Sequence, residues 1–177
     1  MTATEKDRSA SAAGKLRKKS LRRTFHRFTD PVVGWVIKSP LHGLLSGGIV
    51  LVTVEGRKSG KQYVVPVNYV GDEDTLICFT GKSWSGWWKN VSEEGTPVVV
   101  TLRGKELAAT AKRVREPEIV ERGLRAFLTR FPINAKQFGV GLDANRRPNA
   151  GDLIHAARDD NTVMITLSLG RRGPGEA

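Results

Sequence analysis

The chain has few of the residues that most often carry chemistry or cross-links. Its 177 residues hold one cysteine, Cys78, so no internal disulfide can form, and a lone thiol fits a reducing, cytoplasmic setting. Three histidines, His26, His42 and His155, are scattered without metal-ligand spacing, so no metal site is expected. No apolar run is long enough to span a bilayer, and the N-terminus lacks the apolar stretch of a secretory signal. Acidic residues are in deficit, 18 against 29 Lys and Arg, for a net charge of +11. Ser83 and Ser85 near Gly86 miss the spacing of a nucleophile elbow and have no evident acid–histidine partner, which argues against nucleophilic hydrolysis.

What is present suits one domain with an ordinary core. The positive charge is concentrated in residues 1–29, where nine Lys and Arg face Glu5 and Asp7 and leave a net +7. This basic arm reads as a solvated, disordered or partly helical extension. Contact with an anionic membrane is its alternative role, and no specific nucleic-acid site is expected. A helix is expected over 15–28, and another opening at Asp30-Pro31 with Asp30 as N-cap. Residues 30–170 read as one domain and 171–177 as a flexible tail.

Short apolar runs over 49–54, 63–70, 76–79, 97–102, 106–114 and 163–169 are bounded by turn residues and read as strands. Pro66 inside the second run places that stretch on an edge or at a bulge. The best helix covers 116–130, opened by Pro117 and stopped by Pro132, with Val120, Leu124, Phe127, Leu128 and Phe131 at helical spacing. Shorter helical pieces are expected over 84–92 and 152–158. About six antiparallel strands joined largely by hairpins, with helices packed outside, make a mainly β, α+β barrel.

Two segments carry the functional signal. Gly56-Arg57-Lys58-Ser59-Gly60 is a compact turn with two adjacent cations and a hydroxyl, suited to a phosphate or carboxylate; a plain solvated hairpin turn is the bland alternative. Thr80–Asn90 places Trp84, Trp87 and Trp88 beside Lys82, Lys89 and Asn90. The indoles offer flat apolar faces for a planar ring, or else plug the barrel end as core. Gly81-Lys82-Ser83 is not a phosphate-binding P-loop, because Leu76 stands where that motif needs a glycine. Cys78, mid-strand among apolar neighbours, reads as an inert core thiol. An anion cradle and aromatic faces together suit a flavin-like cofactor.

The order of apolar strand, Gly56-Arg57-Lys58-Ser59-Gly60, a strand with Pro66, Trp87-x-x-Asn90 and a hairpin of the Val98–Arg103 type resembles the deazaflavin-dependent nitroreductase (quinone reductase-like) family of split β-barrel oxidoreductases. The resemblance covers about residues 40–115. It implies a split β-barrel of the FMN-binding type and the 5-deazaflavin coenzyme F420, with FMN the alternative cofactor. It implies that Arg57, Lys58, Ser59 and Gly60 grip the phosphate-bearing tail, that Pro66, Trp87 and Asn90 lie along the cofactor groove, and that Lys82 joins them. Where the family often has an arginine three residues before the proline, this chain has Tyr63. Where nitroreductase-type members carry tyrosines, it has Phe127, Phe131 and Phe138. The expected activity is hydride transfer between the reduced cofactor and a small electrophilic organic substrate, with Lys82, Ser83 or Ser85 as candidates to polarise or protonate it. Such chemistry needs no acid–base dyad. A non-catalytic carrier of a flavin, tetrapyrrole or fatty acid on the same barrel is the competing class.

Overall fold

In a computed structural model of the chain, residues 48–83 and 85–170 are described. The arm of residues 1–29, the helices expected at 15–28 and after Asp30-Pro31, the indole of Trp84 and the tail 171–177 lie outside them. Six strands form the body: β1 Ile49–Glu55, β2 Gln62–Gly71, β3 Thr75–Gly81, β4 Thr96–Leu102, β5 Lys105–Val114 and β6 Thr162–Leu169. All pair antiparallel in the closed order β1-β2-β3-β6-β5-β4, with β4 returning to β1. Among the described residues the α-helices are α1, Pro117–Arg130, and α2, Ala150–Arg158. The expected mainly β barrel with external helices is borne out. Among the described residues no helix is long and apolar enough to cross a membrane.

Local chemistry sets the turns. Arg103 and Gly104 both have positive φ, 50° and 78°, as a two-residue hairpin of matching twist requires between β4 and β5. Between β2 and β3, the Asp72 carboxylate accepts the Asp74 and Thr75 amides at 3.0 and 2.9 Å. Those bonds hold its pKa below the ordinary carboxylate value.

The core follows the period of two. Val50, Val52 and Val54 of β1, Leu76 and Cys78 of β3, and Val163, Ile165 and Leu167 of β6 fill the barrel interior. Cys78 is fully buried, and burial pushes its thiol far above the usual value, so it is the inert core residue expected. The outward residues Phe79 and Met164 pack under α1 and α2 against Val120, Leu124, Phe127, Leu128 and Leu153. α1 starts at Pro117, which needs no hydrogen-bond acceptor, and carries Glu118 in its first turn and Arg130 in its last, both favourable to the helix dipole. Pro132 ends the α-helix as expected, but the chain continues as a 3₁₀ segment, Pro132–Phe138, closed by Gly139 in the left-handed region.

The barrel wall is incomplete between β2 and β3. β1 pairs with β2 from Ile49↔Asn68 to Glu55↔Gln62, whereas β3 meets β2 only at Tyr69, Val70 and Gly71. Pro66, opposite Leu51, therefore lies where β2 has one partner strand. A residue without an N–H is accommodated there at no cost to a ladder. The wall opens beside it.

Candidate functional site

The turn after β1 is closed by Gly56 N–H donating to the Lys61 carbonyl and Gly60 N–H donating to the Gly56 carbonyl, both at 2.8 Å. Gly60 sits at φ 64°, which costs a glycine little. A Cβ on Gly56 would lie 2.7 Å from the Tyr63 ring and 2.8 Å from Ser59 Oγ, so both side chains would have to shift to admit one. Ser59 Oγ lies 3.4 Å from Tyr63 Oη and accepts the Lys61 amide at 3.3 Å. Among the described residues the Lys58 and Ser59 amides have no backbone acceptor. Amides in that state, flanked by cationic side chains, suit an incoming anion.

The tryptophan segment meets this turn. Arg57 N–H donates to Asn90 Oδ1 at 3.1 Å, a bond across 33 residues that ties the Gly56–Gly60 turn to the Trp87–Asn90 segment. That segment is one 3₁₀ turn, shorter than the helix expected over 84–92. Lys89 N–H reaches the Gly86 carbonyl and Val91 N–H the Trp88 carbonyl, the i→i−3 pattern. The chain leaves helical geometry at Val91, whose φ of -101° and ψ of 126° are extended. Trp87 and Trp88 are 7% and 8% exposed and pack in the barrel core. The core reading is therefore borne out, and what surface the two indoles keep is on the lining of a cleft.

That cleft has a volume of about 930 Å³. Arg57, Lys58 and Ser59 of the turn and Trp87, Trp88 and Asn90 of the 3₁₀ segment all line it. Its charged lining is Arg57, Lys58, Lys89 and Arg113 against Glu93 and Glu94. The Lys89 ammonium and the Arg113 guanidinium each lie 5.7 Å from the Trp88 ring centroid. The Arg113 and Arg115 guanidiniums both engage Glu93, Arg113 Nη2 at 3.0 Å. They hold the Glu93 carboxyl below its ordinary pKa, the Arg115 hydrogen bond contributing most.

A smaller pocket of about 310 Å³ occupies the gap between β2 and β3. It shares Val65 and Trp87 with the large cleft, so the two adjoin. Pro66, Thr80, Ser85, Phe127, Asn134 and Phe138 are on its walls. Phe127 anchors this side, its ring 5.2 Å from Phe79 and 6.2 Å from Phe138.

The structure thus gathers Arg57, Lys58, Ser59, Trp87 and Asn90 at one cleft and Pro66 and Ser85 at the adjoining gap. Gly60 shapes the turn from behind. Lys82 and Ser83 are not on those walls: Lys82 pairs with Asp160 at 3.6 Å in a third pocket, which shares Trp88 and Arg113 with the cleft, and the Ser83 amide is held by Asn161 Oδ1. Sequence reasoning missed Arg113 and Glu93. The signal for Arg113 was strand parity. Ala109 and Ala111 of β5 face the interior, and Arg113 has the same parity, a cation directed inward at the strand end.

A family model described as F420H(2)-dependent quinone reductase matches residues 15–135. Comparison with curated proteins gave no match. Among solved structures, a domain-swapped dimer is 19% identical and covers 86% of this chain and 99% of that one, with a TM-score of 0.50. An F420-H2 dependent reductase is 21% identical over 68% of this chain and 94% of that one, TM-score 0.46. A protein of Bacteroides thetaiotaomicron described as a putative 5-nitroimidazole antibiotic resistance protein is 12% identical over 72% of this chain and 76% of that one, TM-score 0.44. The likeness to the domain-swapped dimer speaks for the fold alone, and nothing is argued from the other two.

Proposed function

Because the chain belongs to the F420H(2)-dependent quinone reductase family, and is therefore an oxidoreductase that uses the deazaflavin F420 and acts on a small molecule, we propose that the 930 Å³ cleft holds the cofactor's anionic tail and that the gap between β2 and β3 receives its reacting end together with the substrate. The observation that carries this reading is the Arg57–Asn90 bond, which sets the cationic turn and the indoles on one cleft. The residues fit the group. The Lys58 and Ser59 amides, without a backbone acceptor among the described residues, and two cations meet phosphate and carboxylate, and a Cβ at Gly56 would push aside Ser59 Oγ and the Tyr63 ring beside them. The volume lies in the range of about 300–1,000 Å³ usual for ligand sites.

When bound, the deazaflavin supplies hydride-transfer chemistry toward an electrophilic substrate, a quinone being the class the family points to. The chain's own part is position and exclusion of water. Arg57, Lys58, Ser59 and the amides of the turn neutralise the tail. Asn90 fixes the Arg57 backbone, and Trp87 walls the passage from cleft to gap. Phe127 and Phe138 make the gap apolar on one side, which favours a flat organic molecule over water. Ser85 Oγ is the candidate hydroxyl at the gap to hold a proton against a substrate oxygen. Its backbone is fixed by Trp88 Nε1 donating to the Ser85 carbonyl at 2.8 Å.

The test is parallel fluorescence titration of wild type and the Arg57→Ala/Lys58→Ala double variant with F420 and FMN. Loss of two charge-assisted contacts should weaken F420 binding by about a hundredfold. The melting temperature should hardly change, because both side chains are exposed. Unaltered F420 affinity in the double variant rejects the assignment.

A further inference from the structure

The cleft carries a carboxylate on its own wall. Glu93 lies in the loop before β4, which is pinned by Ser92 N–H on Thr96 Oγ1 at 2.9 Å and Gly95 N–H on Ser92 Oγ at 3.1 Å. The loop backbone is therefore fixed, while the Glu93 side chain is 44% exposed. Its Oε1 is engaged by both Arg113 and Arg115. Arg113 faces two spaces, the large cleft and the neighbouring pocket that holds Arg115, Arg158 and Lys82. Its guanidinium rests on the Trp88 ring, so it is held in place from below. Its Nε is buried and has no partner among the described residues. Glu93 thus satisfies this guanidinium through Nη2 alone, although the Nε–Nη2 edge of an arginine can bind a carboxylate at two points. The resident pair is less complete than this arginine can support.

We propose that Glu93 is an internal stand-in for the ligand's carboxylates: it occupies the Arg113–Arg115 pair until an incoming polyanionic tail displaces it, and so sets how strongly this cleft distinguishes a cofactor with a carboxylate tail from one with a bare phosphate. This rests on the assignment of the cleft to the F420 tail. Glu93 then costs affinity for carboxylate-tailed ligands, since each must break the resident pair. It has little effect on a ligand whose single phosphate reaches only Arg57 and Lys58. Glu94 lines the same cleft without sharing the arginine pair, and provides the control for a general charge effect.

The experiment titrates the purified full chain with F420 bearing its glutamyl tail, and with FMN, at one low salt concentration. Wild type, Glu93→Gln and Glu94→Gln are compared, with melting temperatures recorded. Glu93→Gln should bind F420 about tenfold more tightly than wild type, the size of one freed charge-assisted contact, while FMN affinity stays within about twofold. Glu94→Gln should gain much less. If Glu93→Gln folds poorly, Glu93→Ser serves the same readout. Unchanged or weaker F420 binding in a folded Glu93 variant overturns the proposal, as does an equal gain for FMN or for Glu94→Gln. A wild type that binds neither cofactor rejects the cleft assignment itself. F420 binding by wild type with no gain in the variant rejects only the role of Glu93.

Discussion

Replacing Asn90 with alanine removes the acceptor of the Arg57 N–H bond at 3.1 Å and leaves the rest of the Trp87–Asn90 turn unchanged. The donor is at an exposed residue, so water replaces the lost acceptor without a desolvation penalty. The stability cost should therefore lie at the low end of about 0.5–1.5 kcal/mol. For a domain of this size that is a fall in melting temperature of about 3 °C. The effect on binding should be larger than this implies, because the bond orders the turn before the ligand arrives, and preorganisation enters affinity directly. Asn90→Asp separates the two roles. An aspartate still accepts the Arg57 amide, so stability should stay near wild type. It also places a negative charge in the cleft, and a like charge at about 4 Å costs roughly 1 kcal/mol even in water, about fivefold in affinity for an anionic ligand. Differential scanning fluorimetry and F420 titration of the three proteins give the test. The reasoning fails if Asn90→Ala matches wild type in both measurements, or if Asn90→Asp binds F420 as well as wild type does.

Two further substitutions probe the scaffold. Gly56→Ala puts a Cβ 2.7 Å from the Tyr63 ring, which is 45% exposed and can swing aside, so denaturant titration should show a loss of no more than about 1 kcal/mol, and a loss above about 3 kcal/mol would mean that the turn cannot relax. Phe127→Ala removes the ring that packs on Phe79, Phe131 and Phe138 beneath the gap and should cost about 3–5 kcal/mol by urea unfolding, with a cost under about 1 kcal/mol contradicting its place in the core.

Much of the strand layout was legible because it is local. Runs of β-branched residues bounded by glycine or acidic turns place each strand to within a few residues, and Pro66 announces a β2 edge from its missing N–H. The helix α1 was equally plain from Pro117, Pro132 and the apolar spacing between them. The 84–92 segment was not. Its tryptophans satisfy helical and buried-turn readings alike, and the decision came from Asn90 bonding to a residue 33 positions away.

For the site, the amino-acid order alone determined the members of the cationic turn and the identity of the aromatic segment, since two glycines around Arg57-Lys58-Ser59 dictate a tight basic corner whatever lies beyond it. Only the folded chain decided that these meet at one cleft, that Lys82 turns instead to Asp160, and that Arg113 and Glu93 complete the wall. Those facts depend on barrel closure and strand register, which bring positions far apart in sequence within hydrogen-bond reach. No local pattern of residues encodes such a distance.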